Sequence, residues 1–348
     1  MPSDKKNIIL IDWFAMSFRQ KGISPYEIIK LLDLNKFEGD IHFEPNIGRY
    51  MYRDRLSFGN IHIYYNHAKK DQNFPMLELT GQGCREFETF SNISFNELFE
   101  LAKDEKMYHM TRLDLAYDDT IGVFENMKII EDDFRDRNWV SNACKGRVTV
   151  DVDKKRKREQ DGVSIFTGTK FSDIYMRIYD KAVERGFIDG RHWIRCELVL
   201  KQQRAVKFIQ DPRSIGEKYS GVLADYFRFV TPSKTDSNRN RWKTSKYWSD
   251  FIGDAERISL YTPKDIDYNL SRLHSYVFGQ AGASIATYIR CATLSRFLEE
   301  IIEKEKTMNS KQRSKKNYLI EQSKLLVSEN KPVDENILRE LSESFNNE

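Results

Sequence analysis

Cysteine is scarce in the sequence, and its four copies stand far apart in the chain. Because Cys84, Cys144, Cys196 and Cys291 form no Cys-x-x-Cys pair, the sequence argues against a structural zinc site and against a disulfide framework. Long apolar runs are lacking as well, since runs such as Asn7–Ile11 fall far short of the ~20 residues that cross a bilayer. No apolar signal core follows the N-terminus, and we therefore expect a cytoplasmic protein without a membrane partner.

A strong excess of one charge is also missing. The 56 lysines and arginines nearly balance the 53 acids, and the formal net charge of the 348 residues is +3. Two stretches are nevertheless basic, the run Lys154–Arg158 and the segment Arg239–Lys246. Such clusters can follow a DNA backbone, although a solvated hairpin tip is the alternative for the first. The candidate DNA-binding residues in them are Lys154, Arg156, Arg158, Arg239, Arg241, Trp242 and Lys246.

Strand patterns dominate the first two thirds of the chain, and helical patterns dominate the rest. With 40% hydrophobic and 31% charged residues, this predicts a soluble α+β protein built mainly on an antiparallel sheet, with helices over 215–228 and 284–304. Residues 56–90 and 163–208 share the predicted order strand, strand, strand, helix. This similarity leaves open whether the core is an internally duplicated unit. The predicted division is a core at 1–230, a polar basic linker or loop at 231–245, a helical region at 246–305 that packs on the core or binds DNA, and a charged helical or partly disordered tail at 306–348.

Three predicted strands carry charged side chains at their centres. Alternate residues of a strand share a face, and charge there is costly to bury unless it is paired or bound to a cation. If the three faces meet in one sheet, their carboxylates suit Mg²⁺ or Mn²⁺ and their arginines suit a bidentate grip on phosphate. The shared faces carry Arg112, Asp114 and Asp118 in the first strand, Tyr175, Arg177 and Tyr179 in the second, and Arg195 and Glu197 in the third.

A tyrosine on these faces is a candidate nucleophile. Its hydroxyl has a pKa near 10, so it needs a metal ion or neighbouring guanidinium groups to react at neutral pH. Attack on DNA would leave a phosphotyrosine bond at one DNA end and a free hydroxyl at the other. Alternation alone leaves Tyr175 and Tyr179 equal. It also leaves a structural alternative, in which the arginines and acids are cross-strand pairs and the aromatic side chains belong to the core.

Six short segments carry distinctive residue patterns, namely Ile11–Phe14, Leu79–Arg85, Thr111–Asp119, Phe166–Asp173, Met176–Glu184 and Trp193–Leu198. Their residues and their order resemble the Rep_trans family, the replication initiators of Gram-positive rolling-circle plasmids and the related relaxases of integrative conjugative elements. The resemblance extends to about residue 300. It implies a nicking-closing enzyme with a tyrosine nucleophile, acidic metal ligands and a 5′-phosphotyrosine intermediate, and it makes the core at 1–230 the nicking core.

The resemblance selects particular residues from the three strand faces. Two points stay open, whether Tyr175 can replace Tyr179, and whether Asp118 or Glu78 completes the metal shell. From the same faces we expect DNA contacts by Arg112, Arg195 and Tyr175. The expected catalytic residues are Tyr179, Arg177 and Lys181, and the expected ligands of Mg²⁺ or Mn²⁺ are Asp114, Glu197 and Asp118.

Histidine pairs are absent from the sequence, although the other large class of rolling-circle nickases binds its metal through two histidines that flank one residue. The six histidines here form no such pair, which favours carboxylates as ligands. The expected partners are double-stranded origin DNA with a single-stranded nick site, a host helicase and a second copy of the chain. The alternatives are a non-catalytic origin-binding protein of a phage or plasmid, and a metal-independent tyrosine recombinase.

Overall fold

The computed structural model describes residues 6–69, 73–152, 162–187, 190–260, 277–278, 281–308, 312–313, 316–317 and 319–320. The basic run with Lys154, Arg156 and Arg158 lies outside the described residues, as does most of the tail predicted for 306–348. No helix within the described ranges is long and apolar enough to cross a membrane.

Strands and helices alternate in the order that the sequence patterns indicate. The strands are β1 (Ile8–Phe18), β2 (Ile41–Glu44), β3 (Tyr52–Phe58), β4 (Ile61–His67), β5 (Met76–Leu79), β6 (Tyr108–Asp119), β7 (Trp139–Ser141), β8 (Gly146–Asp151), β9 (Gly162–Thr167), β10 (Ile174–Asp180), β11 (Ile194–Lys201) and β12 (Phe227–Phe229). The helices are α1 (Pro25–Leu31), α2 (Gly81–Phe90), α3 (Phe95–Ala102), α4 (Met127–Arg135), α5 (Lys181–Glu184), α6 (Gln203–Gln210), α7 (Ile215–Tyr226), α8 (Lys246–Ala255), α9 (Gly282–Ala292) and α10 (Leu294–Lys306).

Ten of the strands form one antiparallel sheet, in the order β2-β3-β4-β5-β1-β6-β11-β10-β9-β8. This confirms the predicted α+β class. The order is symmetrical about the central pair β1 and β6. Moving outward from that pair, the matching strands are β5 and β11, β4 and β10, β3 and β9, and β2 and β8. Each half also places one helix after its central strand and two helices after its last strand. The similarity seen in the sequence therefore corresponds to an internal duplication of the fold.

The two faces of the sheet differ in polarity. Leu113, Leu115 and Leu198 are fully buried and point to one face, where α2 packs on β1 and α6 packs on β6 and β11. Burying such a side chain stabilises a fold by roughly 1.5–3 kcal/mol. The opposite face carries the charged side chains of the central strands, so the sheet itself separates the core from the polar residues.

Two predicted helices have different ends in the structure. The helix predicted over 215–228 ends at Tyr226, because the next residues, Phe227–Phe229, pair with Trp139–Ser141 as the small sheet of β12 and β7. The helix predicted over 284–304 is instead α9 and α10, because Thr293 lies between them with a φ of 77°. That left-handed conformation interrupts a helix. The domain division stays a prediction.

Candidate active site

Strands β6, β11 and β10 lie side by side, and their registers bring the three charged faces together. Arg195 stands opposite Asp118 on β6 and opposite Tyr179 on β10, and Glu197 stands opposite Arg177. Directly opposite side chains have Cβ atoms about 4.5–5.5 Å apart. Strand alternation predicts each face separately, whereas their meeting in one sheet is visible only in the structure.

The Tyr179 hydroxyl is enclosed by charged groups. It donates a hydrogen bond of 2.6 Å to Glu197 Oε1, and Lys181 Nζ donates one to it at 3.3 Å. The Arg177 guanidinium covers the tyrosine ring, 3.7 Å from its centroid. Burial, and then the charge of Glu197, raises the pKa of Tyr179. The Tyr179 hydroxyl is therefore protonated before the reaction, and the carboxylate of Glu197 lies within hydrogen-bond distance to accept its proton.

Glu197 and Lys181, the two hydrogen-bond partners of the Tyr179 hydroxyl, both have shifted pKa values. Burial, and then the charge of Asp12, raises the pKa of Glu197, which makes its carboxylate a stronger base than a solvated glutamate. Burial, and then the charge of Arg195, lowers the pKa of Lys181. Lys181 is also held by Glu184 at 2.9 Å, so its ammonium group has a fixed place beside the tyrosine.

Asp12 is a site residue that the sequence patterns did not reveal. The register of β1 against β6 shifts between Ile11 and Trp13, which places Asp12 in a β-bulge. Its carboxylate lies 3.1 Å from Arg195 Nη1. Burial raises the pKa of Asp12, but the charges of Arg195 and Lys181 outweigh it, and the net shift is downward. Strict alternation cannot predict a bulge, and the only signal was that Asp12 lies in one of the six distinctive segments.

Asp114 is held in the same region by Arg112, which donates to its two oxygens at 2.8 and 2.6 Å. The Arg112 guanidinium also lies 4.1 Å from the Trp13 ring centroid. Burial raises the pKa of Asp114 to about 7, with the charges of Asp12 and Glu197 adding to the rise and Arg112 opposing it. Three carboxylates thus repel one another in a region that several cations approach.

These side chains line an open cavity of about 1000 Å³ on the polar face of the sheet. Its rim includes Arg147, Phe166 and the turn 168–171, in which Phe171 is 96% exposed. Glycine is required at the start of that turn, because φ is +82° and a Cβ there would lie 2.6 Å from Tyr226 Oη. Sequence reasoning missed the rim, although the distinctive segment Phe166–Asp173 contains most of it. The predicted residues that line the cavity are Arg112, Asp114, Tyr175, Arg177, Tyr179, Lys181 and Glu197.

Asp118 and Arg195 form a buried ion pair beneath this cavity instead of lining it. Arg195 Nε and Nη2 donate to the two Asp118 oxygens at 2.6 and 2.7 Å, and the side chains are only 2% and 5% exposed. Asp118 differs from Asp114 in that it does not line the cavity, so its burial does not favour the predicted role as a metal ligand. The burial of Arg195 beside Asp12 and Asp118 likewise does not favour its predicted contact with DNA, and both roles stay predictions.

Removing one partner of this pair is expected to destabilise the fold. Asp118→Ala should lower the free energy of unfolding by about 3–5 kcal/mol, because it leaves a guanidinium group buried without its main counter-ion. Urea denaturation followed by circular dichroism would measure the loss. The matched control is Asp250→Ala, which breaks the exposed Lys246–Asp250 pair and should leave the transition midpoint unchanged. Equal midpoints for Asp118→Ala and the wild type would contradict the assignment.

The second basic segment lies apart from the cavity. Arg241 pairs with Asp236 at 2.7 Å, the Trp242 ring nitrogen donates to the Asp236 carbonyl at 2.5 Å, and Lys246 pairs with Asp250. Arg239 lies over the Trp242 ring. These side chains do not line the cavity, and their predicted contact with DNA stays a prediction.

The acids of the cavity have the chemistry of a divalent-cation site but not its closed arrangement. Among the described residues, no three histidine, cysteine or acidic side chains are gathered closely enough to hold a metal ion. Asp12 pairs with Arg195, Asp114 with Arg112, and Glu197 with the tyrosine hydroxyl. Carboxylate oxygens are nevertheless the ligands that Mg²⁺ and Mn²⁺ prefer, and the mutual repulsion of these acids would be relieved by a cation. Glu78, the other acid left open, lies outside the cavity.

Comparison with known proteins gives matches along most of the chain. The family described as replication initiation factor matches residues 108–316, and the N-terminal domain of rolling circle replication initiation proteins matches residues 8–104. The curated protein "Putative DNA relaxase NicK" of Bacillus subtilis (strain 168) is 27% identical over 283 residues, which are 75% of each chain. A rolling circle replication initiator protein from Geobacillus stearothermophilus is similar in structure, with a TM-score of 0.66 and 29% identity, over 75% of this chain and 100% of that one.

Proposed function

The chain belongs to the replication initiation factor family, whose members include rolling-circle initiators and DNA relaxases, and we propose that it nicks and rejoins one strand of origin DNA with Tyr179 as the nucleophile. The observation that carries the choice of residue is the 2.6 Å hydrogen bond from the Tyr179 hydroxyl to Glu197. Tyr175 lines the same cavity, but Tyr179 is the tyrosine whose proton has an adjacent acceptor. Initiation of rolling-circle replication or of conjugative transfer is the corresponding biological role.

The proposed step transfers the DNA phosphate to the tyrosine. Tyr179 Oη attacks phosphorus and gives its proton to Glu197, an Oη–P bond forms, and the P–O3′ bond breaks. The departing 3′ oxygen takes a proton from solvent in the open cavity and becomes a free hydroxyl, while the 5′ phosphate stays on Tyr179. Arg177 and Lys181 lie beside the tyrosine and would stabilise the charge that develops on the phosphoryl oxygens. Rejoining is the reverse of this step, with the 3′ hydroxyl as the attacking group.

We also propose that acids of this cavity, drawn from Asp12, Asp114 and Glu197, hold Mg²⁺ or Mn²⁺ when the phosphate of bound DNA supplies the remaining oxygen ligands. Such a cation would supply Lewis acidity to the scissile phosphate and would favour the phenolate form of tyrosine. What supports this is the donor chemistry of three carboxylates at one cavity and the burial that raises the pKa of Asp114 and Glu197. Asp12 takes the place that the sequence assigned to Asp118.

Removal of divalent cations is expected to stop the reaction. EDTA should abolish conversion of origin-bearing supercoiled DNA to the open-circular form, and excess Mn²⁺ or Mg²⁺ should restore it. Asp114→Asn should raise the half-saturating Mn²⁺ concentration by at least about tenfold, whereas Asp173→Asn, which changes an exposed acid at the start of β10, should not. Mn²⁺ binding to the protein, followed by electron paramagnetic resonance, gives a readout independent of activity. Full nicking in EDTA would contradict the metal proposal and would favour recombinase chemistry.

A nicking assay tests the proposed function itself. The full chain is incubated with supercoiled DNA that carries the origin of its own element, in Mg²⁺ or Mn²⁺, and the products are separated with and without prior protease treatment. The expected results are open-circular product after protease and a covalent protein–DNA band without it. Binding of that DNA without either product would instead support the non-catalytic origin-binding alternative. The host helicase and the homodimer stay predictions.

A further inference from the structure

The N-terminal half of the sheet carries a second tyrosine–glutamate pair at the positions that match Tyr179 and Glu197. Glu78 on β5 stands opposite Ala15 and His62, and Glu197 on β11 stands in the same way opposite Ala116 and Arg177. Tyr64 lies two residues after His62, and Tyr179 lies two residues after Arg177. The Tyr64 hydroxyl donates to Glu78 at 3.1 Å, and both side chains are buried. The matched positions are those of the strand registers between β4, β5 and β1 on one side and β10, β11 and β6 on the other.

This second pair is covered by the loop Asn46–Met51, which we call the anchored loop. Its Tyr50 hydroxyl donates to Glu78 at 2.9 Å, so Glu78 joins the loop to the sheet. Asp54 accepts the Asn46 backbone N–H at 3.0 Å. Asn46, Tyr50 and Met51 all have φ values between 56° and 69°, a region that non-glycine residues rarely adopt. A backbone held in this way persists only where surrounding contacts fix it, and such loops are frequent at binding sites.

The outer surface of the anchored loop combines aromatic, apolar and positively charged groups. Ile47, Tyr50 and Met51 are 50–58% exposed. The Arg49 side chain is 58% exposed, with its Nη1 atom 3.6 Å from Glu78 Oε1, so a phosphate would meet a guanidinium that also contacts Glu78. The Arg49 guanidinium lies 5.2 Å from the centre of the Tyr50 ring. Exposed aromatic rings beside arginine are typical of surfaces that stack on unpaired bases and bind the phosphates between them. Bases in a duplex hide their faces, so this surface fits a single strand.

The anchored loop lies over the same face of the sheet as the cleavage cavity. Glu78, which holds the loop, stands opposite Ala15, and Ala15 stands opposite Arg112, which lines the cavity. Arg112 in turn lies over Trp13, which stands opposite Asp114 in the register of β1 and β6. Strand spacings of ~4.8 Å and a rise of ~3.3 Å per residue put Glu78 roughly 20 Å from Glu197. That is about the length of six stacked nucleotides at roughly 3.4 Å each.

We propose that the anchored loop binds the single-stranded DNA that continues from the cleavage cavity, with Tyr50 stacked on a base and Arg49 paired with a phosphate. One half of the duplicated fold would then cut the strand, and the other half would hold it. The direction of the strand relative to the nick rests on the proposed function, whereas single-strand binding by the loop does not. This separation allows the two to be tested independently.

Binding of a single-stranded probe tests the loop without cleavage. The full chain is titrated into fluorescein-labelled dT20 in EDTA, and fluorescence anisotropy gives the dissociation constant. Arg49→Ala and Tyr50→Leu should each weaken binding roughly tenfold, whereas Tyr50→Phe, which keeps the ring, should stay within about twofold. The matched controls are Arg135→Ala on α4 and Tyr26→Leu on α1, which remove the same groups elsewhere and should bind as the wild type. An oligonucleotide with 5-iodouracil should crosslink to the peptide that contains Tyr50.

Three results would overturn the inference: wild-type affinity in Tyr50→Leu and Arg49→Ala, crosslinks confined to other peptides, or a larger loss for a 20-base-pair duplex than for dT20. A fold defect is separated from a binding defect by Tyr50→Phe and by the thermal midpoint of each variant. The proposed function fails separately, in the nicking assay. Tyr179→Phe should bind dT20 as the wild type does, so absence of nicking with intact loop-dependent binding leaves the inference standing.

Discussion

Replacing Tyr179 with phenylalanine is expected to abolish both nicking and the covalent protein–DNA adduct. The change removes only the oxygen that would bond to phosphorus, and Tyr179 is, among the described residues that line the cavity, the tyrosine whose hydroxyl donates a hydrogen bond to a carboxylate. Loss of a covalent nucleophile costs at least about a thousandfold in rate. Conversion of supercoiled to open-circular DNA measures the rate. A protease-sensitive shift of a 3′-end-labelled nick-site strand on a denaturing gel measures the adduct, because the fragment that carries the 5′ phosphate is the one bonded to Tyr179.

Tyr175→Phe is the matched control, because Tyr175 lies on the same strand and lines the same cavity. It should nick within severalfold of the wild type. The ring of Tyr179 also stacks under Arg177, and phenylalanine preserves that contact, so the fold should be unchanged. An adduct formed by Tyr179→Phe but not by Tyr175→Phe would reverse the assignment and would leave Tyr179 as a structural hydrogen-bond donor.

The sequence predicted which residues belong to this site, but it did not predict which strands lie side by side to bring them together. Alternation placed Asp114, Tyr179 and Glu197 on the polar faces of three strands, because a strand that buries one face repeats with a period of two. It could not show that these strands are neighbours, since β11 pairs with β6 although residues 120–193 lie between them, and β10 lies beside β11 rather than beside β6. Long-range pairing of this kind leaves no local pattern in the sequence.

Two positions of the site, Asp12 and Asp118, differ from the sequence prediction for local physical reasons. Asp12 lies in a β-bulge, and an extra residue in a strand reverses the alternation on which the assignment of faces depends. Asp118 was expected near a cation because a charge in mid-strand needs compensation. Arg195 on the next strand supplies that compensation, as the structural alternative of cross-strand pairs predicted. The duplicated topology was foreseen only as a similarity in element order, because the halves share element order far more than residue identity.

Replacing Glu197 with glutamine is expected to slow nicking roughly 10²- to 10⁴-fold while DNA binding is retained. Glutamine keeps the shape of the side chain and still accepts the Tyr179 hydrogen bond, but it cannot take the proton as the Oη–P bond forms, and general-base catalysis contributes about that factor. Single-turnover nicking of the DNA measures the loss. Glu100→Gln, which changes an exposed acid on α3 outside the cavity, is the matched control and should nick as the wild type does.

The pH dependence of the wild type follows from the same role. Glu197 acts as a base only when ionised, and burial together with the charge of Asp12 raises its pKa. Nicking should therefore fall at acid pH as Glu197 is protonated. An ordinary glutamate has a pKa of about 4.3, and the midpoint of the fall should lie above that value. Glu197→Gln should change the shape of that limb and leave the fall that comes from protonation of Asp114, whose pKa is about 7. Glu100→Gln should keep the wild-type profile. If excess Mn²⁺ restored the full rate of Glu197→Gln, Glu197 would act through cation binding alone, and the proton of Tyr179 would have to leave by another group.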